Sequence, residues 1–400
     1  MNETFYIACE KLLTPQQIDV TTDPPILFPS DSSILPDIIR LAQEYSKNIR
    51  IIGKGTFPAP ETKSNVLCIS TASLSKIQEV NPEDFIVVTQ GGALVDDVTS
   101  EVERWGLSLP LDNTSGAEST IGGAYMTGAI GPSAVRYGLF RTAVIGVRCI
   151  TPSGDRVNFG GRTVKNVTGY DVPWYLWGTL GLFAFVWEMM VKIRPLPETH
   201  IVINGQLNDN SRLSHIHRAI VSQVNNVNFC EIIAEKGLGS SIEIAIGFEG
   251  AVSVVKKCVE HLGNDLKTLG VDNLLIRTNE QFKKSRREIA KRFASVNLVI
   301  ASVPPSSTGV YLEAILALSP TLPVLAHAPL GRIHIMCNDD KLIKKLEELT
   351  LAFGGKRLVR WQEIYHNGVL GLFGGSELNL VNKLKKELDP NGMFNPGWGL

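Results

Sequence analysis

Residues 120–138 read TIGGAYMTGAIGPSAVRYG, a run of small residues closed by a cation, an aromatic ring and a glycine. Glycine loses more backbone freedom on folding than any other residue, so five glycines in nineteen positions need a compensating reason. Close approach of the backbone to a neighbour supplies one.

A second glycine turn precedes it. The apolar pair Ile51-Ile52 stops at Gly53-Lys54-Gly55-Thr56, so a strand runs directly into a turn. Turns of this kind present backbone N–H groups that bind anionic oxygens. Neither turn has the glycine spacing of the Rossmann fingerprint or the GK[ST] ending of a P-loop, so a mononucleotide or dinucleotide site of those two designs is not indicated.

Composition narrows the remaining classes. With 400 residues, 44% hydrophobic and 20% charged, the chain is long enough for two domains with separate cores. Its 39 basic and 40 acidic residues are mixed along the sequence and leave a net charge of -1, which argues against nucleic acid and against a polybasic membrane patch. The start, MNETFYIACEKLL, lacks the pattern of a secretory signal, and the apolar run from Gly178 to Val191 is too short to span a bilayer. A cytoplasmic protein with no direct membrane span is expected. Cys9, Cys68, Cys149, Cys230, Cys258 and Cys337 stand singly, without the spacing that holds an iron–sulfur cluster, and are expected as buried thiols.

Along the chain, β-branched runs alternate with turns from Pro25 to about Arg194, around an early helix that places Ile38, Ile39, Leu41 and Ala42 on one face. Pro195-Leu196-Pro197 forms a boundary. A second region, about 198–375, mixes strands such as SSIEIAIGFEG and GRIHIMC with helices such as DKLIKKLEELTLAF. The end, LNLVNKLKKELDPNGMFNPGWGL, reads as a helix stopped at Asp389-Pro390-Asn391-Gly392 and an irregular tail. The fold class is α+β, with domains at 1–197, 198–375 and 376–400.

Order makes these pieces specific: IRIIGKGT, FIVVTQGGALVDD, TIGGAYMTGAIGPSAVRYG, CITPSGDRVNFGG, KNVTGYDV, WGTLGLFAFVWEMMVKIRPLP and finally LDPNGMFNPG. This series resembles the PCMH-type FAD-binding fold of the vanillyl-alcohol oxidase and p-cresol methylhydroxylase family. Within that family, KNVTGYDV is similar to the FAD-binding subunit of glycolate oxidase, a relative of the D-lactate dehydrogenases. The resemblance implies FAD bound between two α+β subdomains, an α+β cap domain, and a C-terminal tail that returns to the FAD domain.

Carried over, Gly53, Lys54, Gly55 and Thr56 form one diphosphate turn and Thr120, Ile121, Gly122 and Gly123 the other. Arg136, Tyr137, Lys165, Asn166, Gly169, Tyr170 and Asp171 complete the implied cofactor set. All seven histidines lie at or after His200, outside the resembling N-terminal motifs, so noncovalent FAD is expected. Leu182 and Ala184 stand where the family has a threonine and a glycine near the flavin, and either crowd the ring or repack its edge.

In the cap, relatives place histidines over the flavin from an Asp-Gly-Asn-x-His strand and a Glu-His-Gly turn. The matching stretches are LAHAPLGRIHIMC and EIYHNGVLGLFGG, which give His334, with His327 nearby, and His366 as candidate catalytic residues. Leu330-Gly331-Arg332 replaces Asp-Gly-Asn, and Tyr365 replaces the glutamate. Arg332 joins the candidates because a guanidinium fork suits a small carboxylate. A three-ligand metal site is not predicted. His215 and His217 lie two apart on a helix, cannot share a face, and are expected in solvent.

The implied function is oxidation of a small 2-hydroxy acid to the 2-oxo acid by hydride transfer to flavin N5. Electrons then pass to an iron–sulfur subunit, a second flavin subunit, or both. Other readings stay open: a non-catalytic FAD-binding electron-relay or scaffold subunit, a flavoenzyme for an alcohol or sugar, and a fold member that has lost FAD.

Overall fold

A computed structural model describes residues 2–57, 65–113, 118–162, 170–222, 227–235, 241–278, 293, 297–356, 358–360 and 375–396. The chain divides into two compact units, the first made of Met1–Ile130, Leu139–Leu196 and the C-terminal stretch, the second of Gly131–Gly138 and Pro197–Gln362. The first unit therefore owns a chain interrupted by an eight-residue strap that belongs to the second.

The first unit holds two sheets with a helix layer. Strands β1 (Ile18–Asp19), β2 (Ile26–Leu27), β3 (Asn48–Ile52) and β4 (Val66–Ser70) form one sheet in the order β1-β2-β4-β3, with β2, β4 and β3 parallel. Helix Leu35–Glu44 starts with Pro36 in its first turn, where a missing N–H costs nothing. It buries Ile38, Ile39 and Ala42 against Leu67, Ile69 and Phe394. Each of the two buried isoleucines contributes about 1.5–3 kcal/mol of transfer free energy.

The second sheet, β5 (Ile77–Asn81), β6 (Ile86–Gln90), β8 (Val144–Ile150), β9 (Arg156–Gly160) and β10 (Phe185–Lys192), is antiparallel in the order β5-β6-β10-β8-β9. Between β8 and β9 the expected PSGD turn closes the hairpin, with Gly154 at φ +81°. A short ribbon pairs β7 (Leu107–Ser108) with β11 (Arg194–Pro195), just ahead of the expected proline boundary. The C-terminal helix Gly375–Leu388 and the residues after it also belong here: Ile49 N donates to Met393 O at 2.8 Å, and Asn395 N to Ile49 O at 2.7 Å.

In the second unit, an antiparallel sheet runs β15-β12-β14-β13-β17-β18-β16-β19. Its strands are β12 (Thr199–Leu207), β13 (Val227–Ala234), β14 (Ile242–Gly250), β15 (Val271–Thr278), β16 (Leu298–Ser302), β17 (Val324–His327), β18 (Arg332–Met336) and β19 (Val359–Arg360). Successive side chains on a strand point to opposite faces. Cys230, Ile232, Val324, Ala326, Ile333 and Ile335 accordingly pack into one core with helices Leu213–Val221, Thr308–Leu318 and Asp340–Ala352. Glu231, Leu325, His327, Arg332 and His334, at the alternate positions, share the other face.

One expectation fails here. His215 is exposed, but His217 is buried, because two positions apart on a helix is more than half a turn and one of the pair must face the core. Five of the six cysteines are buried and Cys258 is half-buried, among free thiols throughout.

Candidate functional site: a backbone cleft and a histidine cluster

In the first unit, the two glycine turns meet. A cleft of about 870 Å³, its open mouth included, is lined by Ile51 and Ile52 at the end of β3 and by the whole Gly53–Thr56 turn. Thr71, Ser119, Thr120, Gly122, Gly123, Met126, Leu180 and Val186 complete most of the wall. The two turns do different work. Gly55 sits in the left-handed region, at φ +72°, with nothing within 4 Å of where a Cβ would stand. The N–H groups of Lys54, Gly55 and Thr56 have no acceptor among the described residues, so the turn offers an open nest of donors.

The second turn spends its donors on packing. Ile121 N bonds to Ala93 O and Gly122 N to Gly91 O, both at 2.8 Å, while Thr120 Oγ1 accepts from Gly123 N at 3.1 Å. A Cβ on Gly122 would stand 2.7 Å from Gly91 O. This turn supplies a thin wall rather than donors, which is what the small residues of the opening stretch are for. Lys54 Nζ reaches Glu118 Oε2 at 2.7 Å, so the lysine of the turn is held in an ion pair. An open nest beside a side-chain-free wall fits the pyrophosphate of a dinucleotide cofactor such as FAD.

Leu182 and Ala184 do not line this cleft. Both are buried, Ala184 in the core that β10 shares with helix Ile121–Met126, so among the described residues these positions repack the interior. Asp171 caps helix Val172–Leu176 by accepting from Trp174 N at 3.2 Å, Tyr170 is exposed, and neither lines the cleft. Lys165, Asn166 and Gly169 lie outside the described residues.

In the second unit, three adjacent strands gather the other candidates. Glu231 pairs across the ladder with His327, and His327 with Arg332. His327 Nδ1 lies 3.2 Å from Glu231 Oε1, and both side chains are buried. The rings of His327 and His334 meet edge to face with centroids 5.3 Å apart. Arg332 Nε donates to His334 Nε2 at 3.2 Å, which requires an unprotonated nitrogen there. Burial pushes the Arg332 guanidinium down to about 10, and among the described residues it has no carboxylate partner. His366 lies outside the described residues.

Arg136 and Tyr137 are placed elsewhere than the cleft. They lie on the strap that belongs to the second unit, where the Tyr137 hydroxyl donates to Glu249 and Arg136 Nε stands 3.2 Å from the same carboxylate. Glu249 also lies 3.9 Å from His200 Nδ1. Sequence reasoning missed Glu231 and Glu249. A lone acid in the apolar strand VNFCEIIA is the signal that would have found Glu231, since a buried carboxylate needs a partner. Among the described residues, no group of three His, Cys, Asp or Glu side chains is placed to hold a metal ion.

Comparison with known proteins bears on the cofactor and the fold. Residues 25–160 match the family described as FAD binding domain. An uncharacterized FAD-linked oxidoreductase of Mycobacterium tuberculosis is 25% identical over 86% of this chain and 83% of its own length. The glycolate oxidase subunit GlcD of Bacillus subtilis is 24% identical over 93% of this chain and 88% of its own. Among solved structures, alkyldihydroxyacetonephosphate synthase superimposes with a TM-score of 0.73 at 15% identity, over 98% of this chain and 85% of that one, which establishes a shared fold. With cleft, fold and relatives in agreement, residues 25–160 carry an FAD binding domain, FAD is the cofactor, and the chain is similar over most of its length to FAD-linked oxidoreductases, among them a glycolate oxidase subunit.

Proposed function

We propose that the protein oxidises a small 2-hydroxy acid to the 2-oxo acid and delivers the electrons to a separate subunit. The observation that carries this reading is Arg332, a burial-depressed guanidinium with no carboxylate partner among the described residues, beside two histidines on one sheet face. Bound FAD supplies the acceptor for the hydride that leaves the substrate carbon.

The chain's own residues do the rest. Lys54, Gly55 and Thr56 offer backbone N–H groups to the pyrophosphate, and Thr120, Gly122 and Gly123 form the wall that lets it approach, while Ile121 is buried in the core behind them. No histidine or cysteine lines the cleft among the described residues, which supports noncovalent attachment. Arg332 takes the substrate carboxylate in its fork. As its donors turn to the substrate, the Nε2 lone pair of His334 is released and receives the hydroxyl proton. Glu231, 3.2 Å from His327, holds the ring that packs edge to face against His334.

The Bacillus subtilis relative is a glycolate oxidase subunit, which supports a multi-subunit arrangement. The singly placed cysteines support an iron–sulfur or second flavin centre in another chain rather than in this one. The reading carries a cytoplasmic location, with any membrane contact made by the partner; among the described residues no helix is long and apolar enough to cross a membrane.

One feature favours a second reading, a non-catalytic FAD-binding relay or scaffold subunit: the His334 lone pair is already taken by Arg332. An anaerobic absorbance spectrum of the purified flavoprotein separates the two. Bleaching by glycolate or one lactate enantiomer supports the dehydrogenase, and bands unchanged by every hydroxy acid leave the relay.

A further inference from the structure

Part of the cleft wall comes from a strained loop. Gly178, Leu180 and Gly181 all adopt positive φ, at +76°, +55° and +71°, and Leu180 lines the cleft. Leucine pays steric energy in that region, so the loop persists only where its surroundings over-determine it. Two of its anchors are amides within the unit: Gly178 N donates to Tyr125 O at 3.0 Å and Leu180 N to Met126 O at 2.8 Å. The others come from the far end of the chain.

Asn395 is buried, and its side chain touches both walls. Its Oδ1 accepts from Ile51 N at 2.7 Å, and its Nδ2 donates to Leu180 O. Ile51 and Leu180 are both cleft residues. Gly181 has no room for a side chain because a Cβ there would lie 2.5 Å from Asn395 Nδ2. Lys385 holds a second carbonyl of the loop. Its buried ammonium donates to Leu182 O at 2.7 Å, Phe394 O at 2.8 Å and Asp389 Oδ2 at 2.6 Å, so all three protons are used. Asp389 in turn accepts from Met393 N at 3.0 Å and Phe394 N at 2.8 Å. The arrangement is a closed polar knot in which every group has its partners, the condition under which such a network rigidifies its surroundings.

We infer that Asn395 and Lys385 are positioning residues of the FAD cleft, tying the end of β3 to the Leu180–Leu182 loop so that both walls are held at the spacing the cofactor needs. Neither side chain lines the cleft; each acts through the backbone it holds. The inference rests on the FAD assignment and on no assumption about substrate.

The test is FAD affinity, read apart from turnover. Apoprotein from the full chain is titrated with FAD by flavin fluorescence, and the thermal midpoint of the apoprotein is measured alongside. Asn395→Gly removes both side-chain bonds while suiting the φ of +48° at that position, so it separates cleft geometry from backbone strain. Asn395→Asp keeps the acceptor for Ile51 N and loses the donor to Leu180 O.

For two hydrogen bonds of ordinary strength, Asn395→Gly is expected to raise the Kd for FAD roughly 10- to 50-fold, with the visible circular dichroism of residual bound flavin altered. Asn395→Asp is expected to fall between it and the parent. Parent-like Kd and circular dichroism in both variants, whatever happens to the thermal midpoint, would overturn the inference and leave the knot a purely structural feature. If Asn395→Gly fails to fold, Asn395→Asp decides by the same two readouts. Failure of the parent apoprotein to take up FAD would instead strike the cofactor assignment, a distinct result.

Discussion

The cleft of the first unit and the histidine cluster of the second are made of different material. The cleft is backbone: N–H groups at Lys54, Gly55 and Thr56 that have no acceptor among the described residues, and a wall at Gly122 too thin to carry a side chain. The cluster is side chain, with Glu231, His327, Arg332 and His334 projecting from three neighbouring strands. Backbone donors cannot be exchanged by mutation, so a cleft of this type keeps its ligand while sequences drift. Side-chain chemistry changes one residue at a time, so a cluster of this kind is open to substitution. The difference teaches that cofactor and reaction are specified separately in this molecule.

Breaking the backbone site should have the largest effect. Gly122→Val places a side chain into Gly91 O, an overlap costing on the order of 3 kcal/mol, and is expected to abolish flavin content in the purified protein. Yellow protein at the parental flavin-to-protein ratio would contradict the reading of that wall. Next, Glu231→Ala removes one partner of a buried pair and should lower the stability of the second unit by about 3 kcal/mol while FAD binding is retained. Urea unfolding followed together with flavin fluorescence checks both halves, and loss of FAD in step with the second unit would erase the contrast between the two regions.

Arg332→Ala should then leave flavin content untouched and raise the KM for a hydroxy acid about 100-fold, with Arg332→Lys partly restoring it. Steady-state kinetics with an artificial acceptor reads this, and an unchanged KM would remove Arg332 from substrate binding. The smallest effect concerns pH. Burial holds His217 below the usual imidazole range, so it folds neutral. The unfolded chain takes up that proton at a higher pH than the folded one, so the contribution is full above about pH 6.5 and is lost as pH falls through the lower folded value. The urea midpoint of the second unit should drop between pH 7 and pH 5, and His217→Gln should flatten that drop. Identical pH dependence in the variant would assign the acid sensitivity to other groups.

The cleft was legible in the sequence because its parts are contiguous: IIGKGT and TIGG are each a strand end or helix start with its own turn. The PSGD hairpin and the early helix face were legible for the same reason, since local period and turn chemistry decide them. Arg136 and Tyr137 were not, because the strap that carries them follows the glycine cluster without a break yet packs on β13 and Glu249 of the other unit. Nothing local marks that change of allegiance. Glu231 needed a ladder partner about a hundred residues away, and Asn395 needed Ile51 and Leu180, none of which a window can show.

The knot around Asn395 also fixes when the cofactor site comes into being. Ile51 meets its partner 344 residues later in the chain, so during synthesis the first sheet and both glycine turns emerge long before the residue that joins their walls. A ribosome-bound intermediate carries the nest of donors but not the finished cleft. On that inference flavin loading waits until residue 395 has emerged, and products cut short within the Gly375–Leu388 helix are expected to accumulate colourless even where their first sheets have folded.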